Sequence, residues 1–175
     1  MRRLAEADRI ARFMRALGQE ARGAAAAYLA GGASAVLLGW RETTIDIDLQ
    51  LVPDRDDLLR AIPALKERLE VNVELAVPSQ FIPELPDWQM RSPFIVREGL
   101  VSFHHYDFYA QALAKIERGH AQDRIDVASM LRAGLVEPAR LRELFERIAG
   151  QLYRYPAVDP AAFRRAVDSA LALYS

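Results

Sequence analysis

The residues best placed to do chemistry are two aspartates one position apart, in the stretch Thr44-Ile45-Asp46-Ile47-Asp48-Leu49-Gln50-Leu51. Its alternation of apolar and polar residues predicts a strand. Ile45, Ile47, Leu49 and Leu51 are then expected in a core, with Asp46 and Asp48 together on the other face, their Cβ atoms about 6 to 7 Å apart. A strand gains nothing from two like charges so placed, and a divalent cation would relieve their repulsion. An isolated D-x-D also reads as the wet face of a half-exposed antiparallel strand. Two neighbours in the sequence add weight to the chemical reading. Upstream, Gly31-Gly32-Ala33-Ser34 falls at a predicted strand-to-helix junction, where bare backbone amides, a helix N-terminus and a hydroxyl can converge on an anion. Downstream, Glu74 occupies another predicted strand and shares the parity of Asn72. Asp46, Asp48 and Glu74 beside a phosphate-sized turn make a candidate site for Mg²⁺ or Mn²⁺, ions that take oxygen ligands; Mg²⁺ in particular commonly shares its coordination with substrate phosphates.

The elements that must position these groups follow from periodicity and punctuation. Leu4, Ile10, Phe13, Met14 and Leu17 recur at helical spacing, and Gly18 offers a stop. The order that follows is strand, Gly-Gly turn, short helix over 33–40, the polar turn RETT, and the aspartate-bearing strand. A helix announced by DRDDLL runs to about Glu70, with Pro63 expected to bend or restart it. VNVELAVP alternates as a further strand, Val71, Val73 and Leu75 on one face and Asn72 and Glu74 on the other. Residues 78–93 carry several prolines and bulky side chains and read as an ordered loop. FIVREGLVSFHHY predicts a hairpin turning at Glu98-Gly99. Asp107 can cap a helix through Arg118, Gly119-His120 interrupts it, and a second helix over 121–132 ends at Gly134. Pro138 and Pro160, the latter after Asp159, each open a further helix.

Composition narrows the classes. A chain of 175 residues suffices for one well-buried domain plus a helical extension, here 1–106 and 107–175. A net charge of −1 argues against a protein that coats nucleic acid by neutralising many phosphates. With no cysteine, neither a disulfide framework nor a thiolate metal site is possible. MRRLAEADRIARFMRALG spreads charge through its length and lacks the unbroken apolar segment of a signal peptide or membrane span, so a cytoplasmic location and no membrane partner are expected.

Other residues carry weaker signals. His104 and His105 are adjacent in a strand and point to opposite faces, which suits packing or hydrogen bonding better than shared ligation. His120 reads as a turn or capping residue. Trp40, Phe81 and Trp88 are expected as core or loop anchors, and Arg140, Arg142 and Arg147 as a solvated helix face. Lys115 lies on an otherwise apolar helical face, where an ion pair with Asp123 or Asp126 would fix two helices.

GGASAVLLGWRETTIDIDL resembles the nucleotidyltransferase signature of the DNA polymerase β superfamily. Together with Arg41, Thr44 and the later ALAKIERGHAQDRIDV, the chain is similar to small bacterial nucleotidyltransferases related to the AbiEii and MenT toxins. The resemblance implies an α/β (α+β) fold, a mixed sheet flanked by helices with a helical C-terminal part packed on it. It implies Mg²⁺-dependent transfer of a nucleotidyl group from a nucleoside triphosphate to a protein or RNA acceptor, in a setting related to toxins and antitoxins. Asp46, Asp48 and Glu74 would hold metal; Gly31, Gly32 and Ser34 would line the triphosphate, with Arg41 and Thr44 beside them; and Lys115, Asp123 and Asp126 would join the catalytic set. Lys115 would then neutralise phosphate charge. The chain departs from the superfamily pattern at Ser34, which stands two positions later than the usual serine, and at Glu74, which replaces the usual aspartate. The alternatives are a catalytically inactive, antitoxin-like module binding a nucleotide or a cognate partner protein, and a metal-dependent hydrolase.

Overall fold

The structure is a computed structural model describing residues 4–174; Met1, Arg2 and Arg3, which head the charged N-terminal stretch, and Ser175 lie outside the described residues. Among the described residues the fold is α+β, with seven α-helices and a five-stranded mixed sheet. The chain divides into two compact units, one of residues 1–77 and 92–106 and the other of 78–91 and 107–175. The proline-rich segment 78–91, left with the first part in the sequence reading, thus belongs to the second unit.

The first unit contains α1 (Ala7–Glu20), β1 (Ala25–Ala30), α2 (Gly31–Leu38), β2 (Asp46–Val52), α3 (Asp56–Leu69), β3 (Asn72–Glu74), β4 (Phe94–Glu98) and β5 (Val101–His105). The strands lie in the order β3-β2-β1-β5-β4. β1 runs antiparallel to β2 and parallel to β5, β2 runs parallel to β3, and β4 and β5 form the expected antiparallel hairpin. Ile47, Leu49 and Leu51 of β2 are buried in one apolar cluster with Ile10, Phe13 and Leu17 of α1 and Leu58, Ile62 and Leu65 of α3. One face of the sheet is thereby sealed by two helices, and the period of two forces Asp46 and Asp48 onto the other face.

Four local expectations need correction. Ile45 is 70% exposed, because β2 begins only at Asp46 and the residue before it lies outside the alternation. Leu75 is likewise exposed, β3 having ended at Glu74. Gly18 does not stop α1; it lies inside the helix, where a Cβ would come within 2.3 Å of the Glu98 carbonyl oxygen, so glycine is required for close approach to the hairpin. Pro63 does not restart α3, which runs through it without interruption: it sits on the exposed side, where water can satisfy the carbonyl left without a partner.

The second unit holds α4 (Phe108–Arg118), α5 (Ala121–Arg132), α6 (Pro138–Ala149) and α7 (Pro160–Leu171), with short 3₁₀ turns at Pro78–Gln80 and Trp88–Arg91. The punctuation is as expected. Asp107 is the N-cap of α4 and accepts from the Tyr109 amide, Asp159 accepts from the amides of Ala161 and Ala162, and prolines open α6 and α7. α4 packs against α5, α6 and α7. Segment 78–91 is tied to this unit by Arg91, which donates to Asp107 at 2.7 and 3.1 Å, and by Tyr155, whose hydroxyl donates to the Ser79 carbonyl. Trp88 is a buried anchor of that segment, whereas Phe81 is 53% exposed. Arg142 and Arg147 lie on the exposed face of α6, Arg142 paired with Asp168 of α7.

Candidate active site

The polar face of the first unit's sheet is built from two adjacent parallel strands. Pairing sets Asp46 opposite Asn72 and Asp48 opposite Glu74. Directly opposed residues of a parallel pair project to the same side, so these four side chains form a rectangle about 4.8 Å wide and 6.6 Å long. Asn72 occupies one corner and links two others: its Nδ2 donates to Asp46 Oδ1 at 2.5 Å and to Glu74 Oε1 at 3.2 Å.

On the other side of β2, Asp48 pairs with Ala30, the last residue of β1, and the chain turns there into α2. Gly31 makes this turn at φ +60°, and a Cβ on it would lie 2.7 Å from Asp48 Oδ2. Gly32 is as tightly confined, since a Cβ there would meet Thr44 Oγ1 at 2.0 Å and an Arg41 guanidinium nitrogen at 3.1 Å. Thr44 is itself pinned, its hydroxyl donating to the Asp46 carbonyl and its backbone bridging to Ala5. Gly31, Gly32, Arg41, Thr44, Asp46, Asp48, Asn72 and Glu74 thus share one corner of the sheet. Glycine at 31 and 32 is what permits the turn to lie so close to a carboxylate and a guanidinium.

Ser34 departs from the expectation that it lines a triphosphate. It is fully buried, 3.0 Å from the Leu29 carbonyl oxygen and 2.9 Å from His105 Nδ1. Two oxygens at 3.0 Å repel unless a proton lies between them, so the serine donates to Leu29. His105 must then carry its proton on Nδ1 and donate to the serine. Burial pushes the His105 imidazole down to about 4, and the charge of adjacent His104 adds to the effect. His105 is therefore a neutral core histidine. Its neighbour His104 faces the other way, stacked on Tyr28 and bonded through Nδ1 to the Ser92 carbonyl.

Lys115, Asp123 and Asp126 belong to the second unit, where they form a buried ion network. Lys115 Nζ donates to Asp126 Oδ2 at 2.7 Å and lies 3.7 Å from Asp123 Oδ1; both aspartates are essentially inaccessible. Gln122 donates to the second Asp126 oxygen, while Arg118 grips Asp123 with two bonds of 2.6 and 2.8 Å. Asp123 also accepts from the His120 amide at the start of α5, so His120 is a capping position as expected. Burial alone would raise Asp123, but the Arg118 bonds and charge, with Lys115 behind them, hold it below the ordinary carboxylate range. This is the ion pair between two helices anticipated for Lys115.

The donor chemistry at the sheet corner fits Mg²⁺ or Mn²⁺, since the candidate ligands are all carboxylate oxygens and the glycine turn leaves beside Asp48 a cradle that a Cβ would fill. Among the described residues no group of three or more His, Cys, Asp or Glu side chains is placed to hold an ion. Asn72 bonds to one oxygen each of Asp46 and Glu74. Two residues escape a motif-based reading, Asn72 and Gln50. Asn72 was signalled only by its shared parity with Glu74. Gln50, on the same face as Asp48, has a buried Oε1 without a hydrogen-bond partner. No helix among the described residues is long and apolar enough to cross a membrane. No family model, curated protein or solved structure matches the chain.

Proposed function

We propose that the chain is a divalent-metal-dependent nucleotidyltransferase that moves a nucleotidyl group from a nucleoside triphosphate to a protein or RNA acceptor, in a toxin-related setting. One observation carries this reading: a glycine turn at a helix start is packed so tightly on the second carboxylate of a D-x-D strand that a methyl group at Gly31 would lie 2.7 Å from Asp48 Oδ2. Asp46, Asp48 and Glu74 would hold Mg²⁺ or Mn²⁺, and the backbone of Gly31 and Gly32, with Arg41 beside them, would face the triphosphate. Bound there, the metal would supply Lewis-acid stabilisation of the charge developing on the phosphoryl and leaving oxygens. The acceptor oxygen forms a bond to the α-phosphorus, the bond from that phosphorus to the bridging oxygen breaks, and pyrophosphate leaves with the electron pair while the acceptor proton passes to solvent or a carboxylate. Assigning Lys115, Asp123 and Asp126 to catalysis rests on the resemblance alone; their geometry supports a scaffolding role.

The test is incubation with α-labelled nucleoside triphosphates, Mg²⁺ and a lysate. Label is expected on a protein or RNA band with wild type and not with Asp46→Ala; equal labelling by both defeats the proposal. The Asn72 bridge favours a second reading, a nucleotide- or partner-binding module without turnover. Under that reading nucleotide or a partner protein is retained and no label is transferred. Free nucleotide released without labelled acceptor would instead mark a hydrolase.

A further inference from the structure

We propose that Asn72 is a built-in stand-in for the cation, holding the carboxylates together in the metal-free protein and competing with the metal for them; this rests on the nucleotidyltransferase reading of the site. Asp46 and Glu74 lie at diagonal corners of the polar rectangle, on different strands, yet an oxygen of each converges on one atom, Asn72 Nδ2. Convergence of acidic oxygens on one point is what a bound cation enforces, and here a neutral amide does so with its two N–H donors. The substitution is incomplete. An amide nitrogen has no lone pair to offer a metal, so an ion entering between Asp46 and Glu74 has to displace the Asn72 Nδ2 group from both carboxylates. Asp48, across the rectangle, faces the glycine turn. The strand pairing aims the carboxylates in any case, so loss of the amide removes a competitor more than it removes order.

Metal affinity therefore rises when Asn72 is removed, while the metal-free protein is weakened. Mn²⁺ binding, followed by electron paramagnetic resonance on the full chain, should be about threefold to tenfold tighter in Asn72→Ala than in wild type, the equivalent of about one ordinary net hydrogen bond, as suits a half-exposed site. Asn72→Asp, which adds a fourth carboxylate, should bind tighter still. Thermal melts in chelator should show both variants unfolding a few degrees lower, at about 2 to 4 °C per kcal/mol for a chain of this size. Binding by a variant where wild type shows none also supports the competitor role. If wild type binds Mn²⁺ and Asp48→Ala abolishes it, but Asn72→Ala binds equally or more weakly, the metal site stands and the role given to Asn72 falls. Absence of Mn²⁺ binding in wild type and both Asn72 variants overturns the inference together with the metal reading.

Discussion

Replacing His105 with glutamine should flatten the acid limb of the stability curve. The imidazole is held neutral in the folded chain, down to about 4 from an ordinary 6.5, chiefly by burial. Its folded value is depressed, so the stability present above 6.5 is lost as the pH falls toward 4: over that interval the unfolded chain takes up a proton that the folded chain refuses. Full development of this difference corresponds to about 3 kcal/mol, at 1.36 kcal/mol per tenfold. Between about pH 7 and pH 5 the linkage relation gives a loss of about 2 kcal/mol from this one residue. Urea unfolding of wild type and His105→Gln at these two pH values measures it directly. Glutamine will cost some packing at every pH, so the informative quantity is the change in the gap between the two proteins, which should narrow by about 2 kcal/mol at the lower pH. Parallel pH profiles, or a His105 resonance titrating near 6.5, would refute the buried donor pair of His105 and Ser34.

Lys115→Met should destabilise the second unit by about 3 kcal/mol or more, because it leaves Asp126 buried without its cation, and pairing it with Asp126→Leu should recover most of the loss; calorimetry of the single and double variants decides it. A single variant that melts as wild type yet transfers no label would make Lys115 a chemical residue and not a structural one. Gly31→Ala should cost about 1 to 2 kcal/mol for the left-handed backbone, and its methyl group would press on Asp48. Its melting temperature should therefore fall only modestly while Mg²⁺-nucleotide binding is lost, and retained binding would remove the turn from the site.

Much of this architecture is written locally. Asp107, Asp159, Pro138 and Pro160 mark helix starts because their chemistry satisfies or dispenses with terminal amides, whatever the rest of the chain does. The face on which Asp46 and Asp48 stand follows from a two-residue period. What local rules do not carry is the register between strands and the closeness of elements far apart in sequence. Nothing near Gly18 announces that the Glu98 carbonyl will lie against it, nor does anything around Ser34 disclose that His105 will claim its hydroxyl from 71 positions away. Asn72 is the clearest case. Its parity with Glu74 was visible, but its place opposite Asp46 depends on the pairing of β2 with β3. The candidate site was thus legible as a set of residue types and a face, while the identity of the group that bridges two of its carboxylates required the fold.

The most direct test of the site is calorimetric titration of a non-hydrolysable nucleoside triphosphate into the full chain, with Mg²⁺ and with chelator, in wild type and Asp48→Ala. Binding that requires Mg²⁺ and disappears in the variant is the predicted result. No binding under either condition, or binding that is the same with chelator and in Asp48→Ala, would contradict a metal-triphosphate site at the glycine turn.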